Sequence, residues 1–171
     1  MPGARGYFFA RPHEHHWASP NMAAFLDRLS EEWAARHPAH PFGLGDISLR
    51  NGLAPPVHHT HILGSCVDIY VIHSAGHASS LDDDRVDERH RAAFGAKESD
   101  IYEPDYDRER TKELARLICL HLLPDFPMVQ FLCDDPEVQA VHEKIRPSKR
   151  NDHRDHFHIQ LGEAKEARRK K

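Results

Sequence analysis

Residues 153–161 read His153-Arg154-Asp155-His156-Phe157-His158-Ile159-Gln160-Leu161. Side chains alternate across a strand, so Phe157, Ile159 and Leu161 fall on one face and His156, His158 and Gln160 on the other. The apolar face belongs to a core, which sends the two histidines out together on the opposite side. A second stretch, Cys66 to Ile72 (CVDIYVI), is β-branched and aromatic and predicts a buried strand that carries Asp68. Met128 to Cys133 predicts a shorter strand. Asp46 to Arg50 turns Ile47 and Leu49 inward ahead of an Asn51-Gly52 turn.

Between these stretches the hydrophobic period lengthens. Ser19-Pro20 is a cap followed by proline at the first helical position, and Met22, Phe25, Leu26, Leu29 and Trp33 then recur every three or four residues, predicting a helix from Pro20 to His37. Leu114, Leu117, Ile118, His121 and Leu122 predict another from Glu109 to Leu123, before Pro124. Asp135-Pro136 opens a third, expected to run to about Ile145. Residues 79–107, with acidic positions crowded from Asp82 to Glu88, read as a long surface excursion. The expected fold class is α+β: a small, mainly antiparallel sheet carrying a zinc site, helices packed on one side, and long loops. A single domain is expected over 1–171, with its core in 7–161 and a charged tail in 162–171.

Composition narrows the chemistry. Histidine occurs 16 times in 171 residues, whereas Cys66, Cys119 and Cys133 form an odd, scattered set without a CxxC pair. A disulfide framework and a thiolate zinc knuckle are both excluded, so a metal would be held by nitrogen and oxygen. A net charge of −4 argues against nucleic acid as the partner. No apolar run approaches the about 20 residues of a membrane helix, and Tyr7 to Ala10 is too short for a signal peptide. Synthesis in the cytoplasm without a signal peptide is therefore expected.

The histidines form clusters at 13/15/16, 58/59/61 and 153/156/158. The helical HExxH motif is absent, which excludes a zincin. His61 precedes Gly64 and then Asp68, and a glycine there lets the chain turn tightly, so that a loop imidazole and a strand carboxylate reach one ion. Catalytic zinc takes three protein ligands and keeps one position open. His61, Asp68 and His158 supply three such ligands, and His156, on the same strand face as His158, is placed to serve as general base and then acid. The first cluster reads as a polar loop.

The stretch from Gly45 to Ile69, GDISLRNGLAPPVHHTHILGSCVDI, resembles the penicillin-insensitive murein endopeptidases, zinc peptidases related to the lysostaphin-type and D-alanyl-D-alanine peptidases. The matching elements are Gly45-Asp46, His58-x-x-His61, His61-x-x-Gly64-x-x-x-Asp68 and His153-x-x-His156-x-His158. The resemblance implies His61, Asp68 and His158 as ligands of one catalytic Zn2+ and His156 as the catalytic histidine. It adds His58, as a further metal position, and His153, beside the catalytic group.

The implied activity is zinc-dependent hydrolysis of murein peptide crosslinks, such as the D-alanyl to diaminopimelate bond, with peptidoglycan stem peptides as substrate. Action in the periplasm or cell wall would then follow export by a non-classical route. An antibacterial effector with an immunity or delivery protein, or a lysin, fits that route. Two other readings share the residues: a non-catalytic, zinc-stabilised module that binds cell-wall peptide, and a cytosolic metallopeptidase acting on small peptides.

Overall fold

Alternation along 156–161 is what the folded chain uses to separate its core from its chemistry. In chain order the main elements are β1 (Tyr7–Phe9), α1 (Pro20–Arg36), β2 (Phe42–Leu44), β3 (Cys66–Tyr70), α2 (Arg108–Leu117), β4 (Met128–Leu132), α3 (Pro136–Gln139) and β5 (His156–Leu161). The computed structural model describes residues 6–56, 58–74, 105–149 and 152–162. The expected excursion up to residue 104, its acidic run included, and residues 163–171 of the tail lie outside the described residues.

One five-stranded sheet has the order β1-β2-β3-β5-β4. Only β1 and β2 run parallel, and the other pairs are antiparallel. Together with the helices this is the expected α+β architecture. At its centre, β3 and β5 pair with Asp68 opposite His158 and Tyr70 opposite His156. Val67, Ile69, Phe157 and Ile159 point the other way, into one cluster with Met22, Phe25, Leu29 and Trp33 of α1 and Leu114 and Leu117 of α2. Slipping the pairing by one residue would exchange those apolar groups for imidazoles, forfeiting about 1.5–3 kcal/mol for each side chain withdrawn from the core.

The helices begin and end for local reasons. Ser19 Oγ accepts from the Met22 amide at 3.3 Å, and the Trp33 indole inside α1 donates to the His40 carbonyl at 2.7 Å. Asp107 caps α2 by accepting from the Arg110 amide at 3.0 Å. The apolar period of α2 continues past Leu117, but in a wider π turn over Ile118–Leu122, before the chain leaves at Pro124.

Two expectations need correction. The helix opened by Asp135 and Pro136 ends at Gln139, well short of Ile145. Beyond it the chain must turn to bring Arg146 back beside β4, where the Arg146 amide donates to the Phe131 carbonyl at 2.9 Å and the Cys133 amide to the Arg146 carbonyl at 3.0 Å. Residues 46–50 are no strand, because Ser48 makes only an isolated bridge to His16. The paired segment lies just upstream, in β2, and its partner β1 is too short to show a period.

The loop from His61 to β3 turns as the glycine predicted. Leu63 and Gly64 both have positive φ, 55° and 69°. A Cβ on Gly64 would stand 2.3 Å from the Ser19 amide nitrogen, at the start of α1. Gly64→Ala is therefore expected to cost at least about 1 kcal/mol in urea unfolding, at an unchanged denaturant slope. A midpoint equal to that of the unaltered chain would show that the turn does not need glycine.

Candidate metal centre

Asp68 lies in the middle of the sheet, yet it is buried among imidazoles. Its Oδ1 is 3.1 Å from His61 Nε2, 3.0 Å from His158 Nδ1 and 3.6 Å from His156 Nε2. Strand pairing delivers His158, and alternation delivers His156 to the same face. His61 arrives from the loop that Gly64 closes. That loop is tied to β3 by Cys66, whose thiol donates to the Thr60 carbonyl at 2.9 Å and is pushed up to about 11 by burial. Burial alone would raise Asp68, but the charge of His156 and the hydrogen bond from His158 hold it well below the usual carboxylate range.

The donor set fits a metal ion. His61 Nδ1 donates to the Ile47 carbonyl at 3.1 Å, which leaves a lone pair on Nε2. That nitrogen is buried without a hydrogen-bond partner and faces an oxygen that can only accept. Two acceptors held in contact call for a cation, and their spacing is near the about 3.3 Å between neighbouring ligands in a tetrahedral zinc site. His158 Nε2 is likewise buried and unpartnered. His58, His61 and Asp68 each offer a donor atom within 4.8 Å of the others, so His58 completes a candidate metal group.

His58 is held by a residue to which the sequence reading assigned no role. Asp46 accepts from His58 Nε2 at 2.9 Å and from His15 Nδ1 at 2.7 Å, with Arg11 Nε at 3.7 Å. Burial opposes the ionised form, but the His58 bond, the Arg11 charge and the His15 bond keep Asp46 lowered. Its backbone also serves the centre, since the Asp68 amide donates to the Asp46 carbonyl at 3.0 Å. Next to it, a Cβ on Gly45 would come within 2.9 Å of the Asp68 Cβ, so the residue must be glycine for β3 to approach. The first histidine cluster is therefore not a free polar loop. His15 belongs to the Asp46 network, and His16 stacks on Phe9 with ring centroids 4.4 Å apart.

The remaining expected residues lie on the open side. His156 Nδ1 donates to Asp155 at 2.6 Å, and burial, which would lower this histidine, is outweighed by Asp68 and Asp155, so that it rises to about 9. His153 stands 4.8 Å from His156 by ring centroid, donates from Nδ1 to Asp152 at 2.8 Å, and is lowered by burial and by the charge of His156. His59 is exposed. A second group of possible donors, Asp134, Asp152 and His153, lies close together. Both Asp134 oxygens are already used there, accepting from the Ser148 amide, the Ser148 hydroxyl and the His153 amide, each at 2.7 Å. Asp134 is thus a brace for the loop that presents His153.

A cleft of about 990 Å³ opens onto Asp68, His156 and His158, with His58, His153 and β4 along its sides. A peptide can therefore reach the histidine-carboxylate centre directly from solvent. The model of the penicillin-insensitive murein endopeptidase family matches residues 3–170, nearly the whole chain. The chain belongs to that family. Comparison with curated proteins finds no match. As a murein endopeptidase it is a peptidase acting on peptidoglycan, an activity that fits the periplasm or cell wall. Among the described residues no helix is long and apolar enough to cross a membrane.

The half-buried first cluster sets a pH dependence. Burial lowers His16 to about 4, whereas an unfolded histidine titrates near 6.5. Between these values the unfolded chain binds more protons, so stability falls as pH drops from about 6.5 to 4, at up to about 1.4 kcal/mol per pH unit from this residue. His16→Leu is expected to flatten that loss in denaturation measured across the window. An unchanged slope would remove His16 as its source.

Proposed function

We propose that this murein endopeptidase is zinc-dependent, that His61, Asp68 and His158 hold one catalytic Zn2+ with His58 as a further donor beside them, and that His156 moves the proton. The observation that carries this reading is the convergence of His61 Nε2 and His158 Nδ1 on one Asp68 oxygen, at the wall of the cleft. When bound there, zinc supplies Lewis acidity, polarising the scissile carbonyl and acidifying water.

The chain's own groups account for the rest. With Nδ1 committed to Asp155, the atom of His156 that takes a proton from water and returns it to the leaving amine is Nε2, available as a base when a cation held by Asp68 offsets the carboxylate charge that otherwise keeps the ring protonated. Asp155 holds the ring in that orientation and stabilises its cationic form. His153 is neutral near pH 7 and donates from Nδ1 to Asp152, so its Nε2 accepts from a substrate N–H or from water. Asp46 keeps His58 in place beside His61, whose ring lies 4.4 Å from that of His58. The proposed substrate bond is the peptide crosslink of murein, D-alanyl to diaminopimelate.

Purified sacculi test these assignments together. His156→Ala is expected to retain about one equivalent of zinc while muropeptide release falls by at least about 100-fold. Asp68→Asn is expected to lose both metal and activity, and chelation should abolish release until zinc is restored. Unchanged release by His156→Ala would sink the proton-transfer role. Metal content unaffected by Asp68→Asn would sink the ligand set. Mass spectrometry of the products should show new termini at D-alanine and diaminopimelate.

A further inference from the structure

The cleft that opens onto the histidines is also lined by Lys144, Arg146 and Lys149. All three are exposed, and none of their side chains makes a hydrogen bond or ion pair among the described residues. The two acids that line the same cleft are already engaged: Asp68 accepts from His158, and Asp152 accepts from His153. Among the described residues the cleft therefore presents three positive charges without a counterion, in a chain whose net charge is −4.

These cations sit on a braced segment. Ile145 is buried in the core, and the Arg146 backbone is bonded to Phe131 and Cys133 on either side of Leu132. Ser148 is pinned to Asp134 by both its amide and its hydroxyl. Positions 144, 146 and 149 are thus presented by an ordered backbone, which reduces the entropy lost when a ligand binds. A guanidinium fork flanked by two ammonium groups suits a carboxylate.

We propose that Lys144, Arg146 and Lys149 are the specificity-determining lip of the cleft and bind a free carboxylate of the stem peptide, so that crosslinks with free diaminopimelate carboxylates are cut in preference to amidated ones. This rests on the murein endopeptidase reading of the site and narrows its substrate. The chemistry of the bond supports it: the amine acylated in a D-alanyl-diaminopimelate crosslink is on a carbon that also bears a carboxylate. An anionic group is therefore carried two bonds from the scissile nitrogen, into the cleft that these cations line.

The test uses the full chain loaded with zinc and two defined crosslinked muropeptide dimers, identical except that the diaminopimelate carboxylates are free in one and amidated in the other. The free-acid dimer is expected to be cut with a kcat/KM about tenfold higher, the scale of one charge-assisted hydrogen bond. A triple Lys144→Gln, Arg146→Gln, Lys149→Gln variant is expected to raise KM for the free-acid dimer about tenfold with little change in kcat, and to cut the two dimers equally. Glutamate at the same positions should reverse the preference, and the glutamine variant serves if that protein does not fold. Equal cleavage of both dimers by the unaltered chain overturns this proposal alone. A preference that survives in the triple glutamine variant likewise assigns it elsewhere. Cleavage of neither dimer overturns the reading of the site and this proposal with it.

Discussion

The pairing of Asp68 with His158 across two central strands is the constraint from which the rest of the molecule follows. Antiparallel strands place directly opposed side chains on the same face, so one register brings a carboxylate and an imidazole together without any loop. The same register puts Val67, Ile69, Phe157 and Ile159 under the helices. Core and centre therefore specify each other. A sequence that repacked the apolar side by a one-residue shift would bury His156 and His158 under α1 and leave Asp68 without its partner.

Around that pair, each other member arrives with its own support. His61 depends on a left-handed turn that only glycine fits at position 64, and its tautomer depends on the Ile47 carbonyl. His58 depends on Asp46, which in turn depends on His15 and Arg11 to remain ionised while largely buried. The His153 ring depends on Asp152 and its backbone amide on Asp134, and the His156 ring depends on Asp155. Each imidazole thus has a partner for one nitrogen and keeps the other for chemistry, the arrangement by which outer groups orient a metal site.

Legibility in the sequence followed the length of the signal. The long apolar stripe of α1 and the alternation of HFHIQL were readable because many side chains repeat one period, and the spacing of His61, Gly64 and Asp68 is local enough to imply geometry. Two three-residue strands, Tyr7–Phe9 and Phe42–Leu44, carry too few residues to declare a period. Asp135-Pro136 announces a helix start correctly, but its end is set by the need to stitch Arg146 beside Leu132, a tertiary demand with no local trace. Asp46 and His15 escaped assignment for the same reason. They are 31 positions apart and meet only after the turn at His13–His15 docks the His15 carbonyl on the Ile47 and Ser48 amides.

The stitch at Arg146 has a second consequence, for the sheet's outer margin. β4 is an edge strand, and edges with free amides and carbonyls recruit other chains. Residue 146 occupies the hydrogen-bonding groups around Leu132, while an irregularity between Met128 and Gln130 interrupts the ladder where Val129 is exposed. The β4 margin consequently offers little straight edge to a neighbour. A chain in which segment 145–149 were undocked would leave that margin bare and open to pairing with another chain.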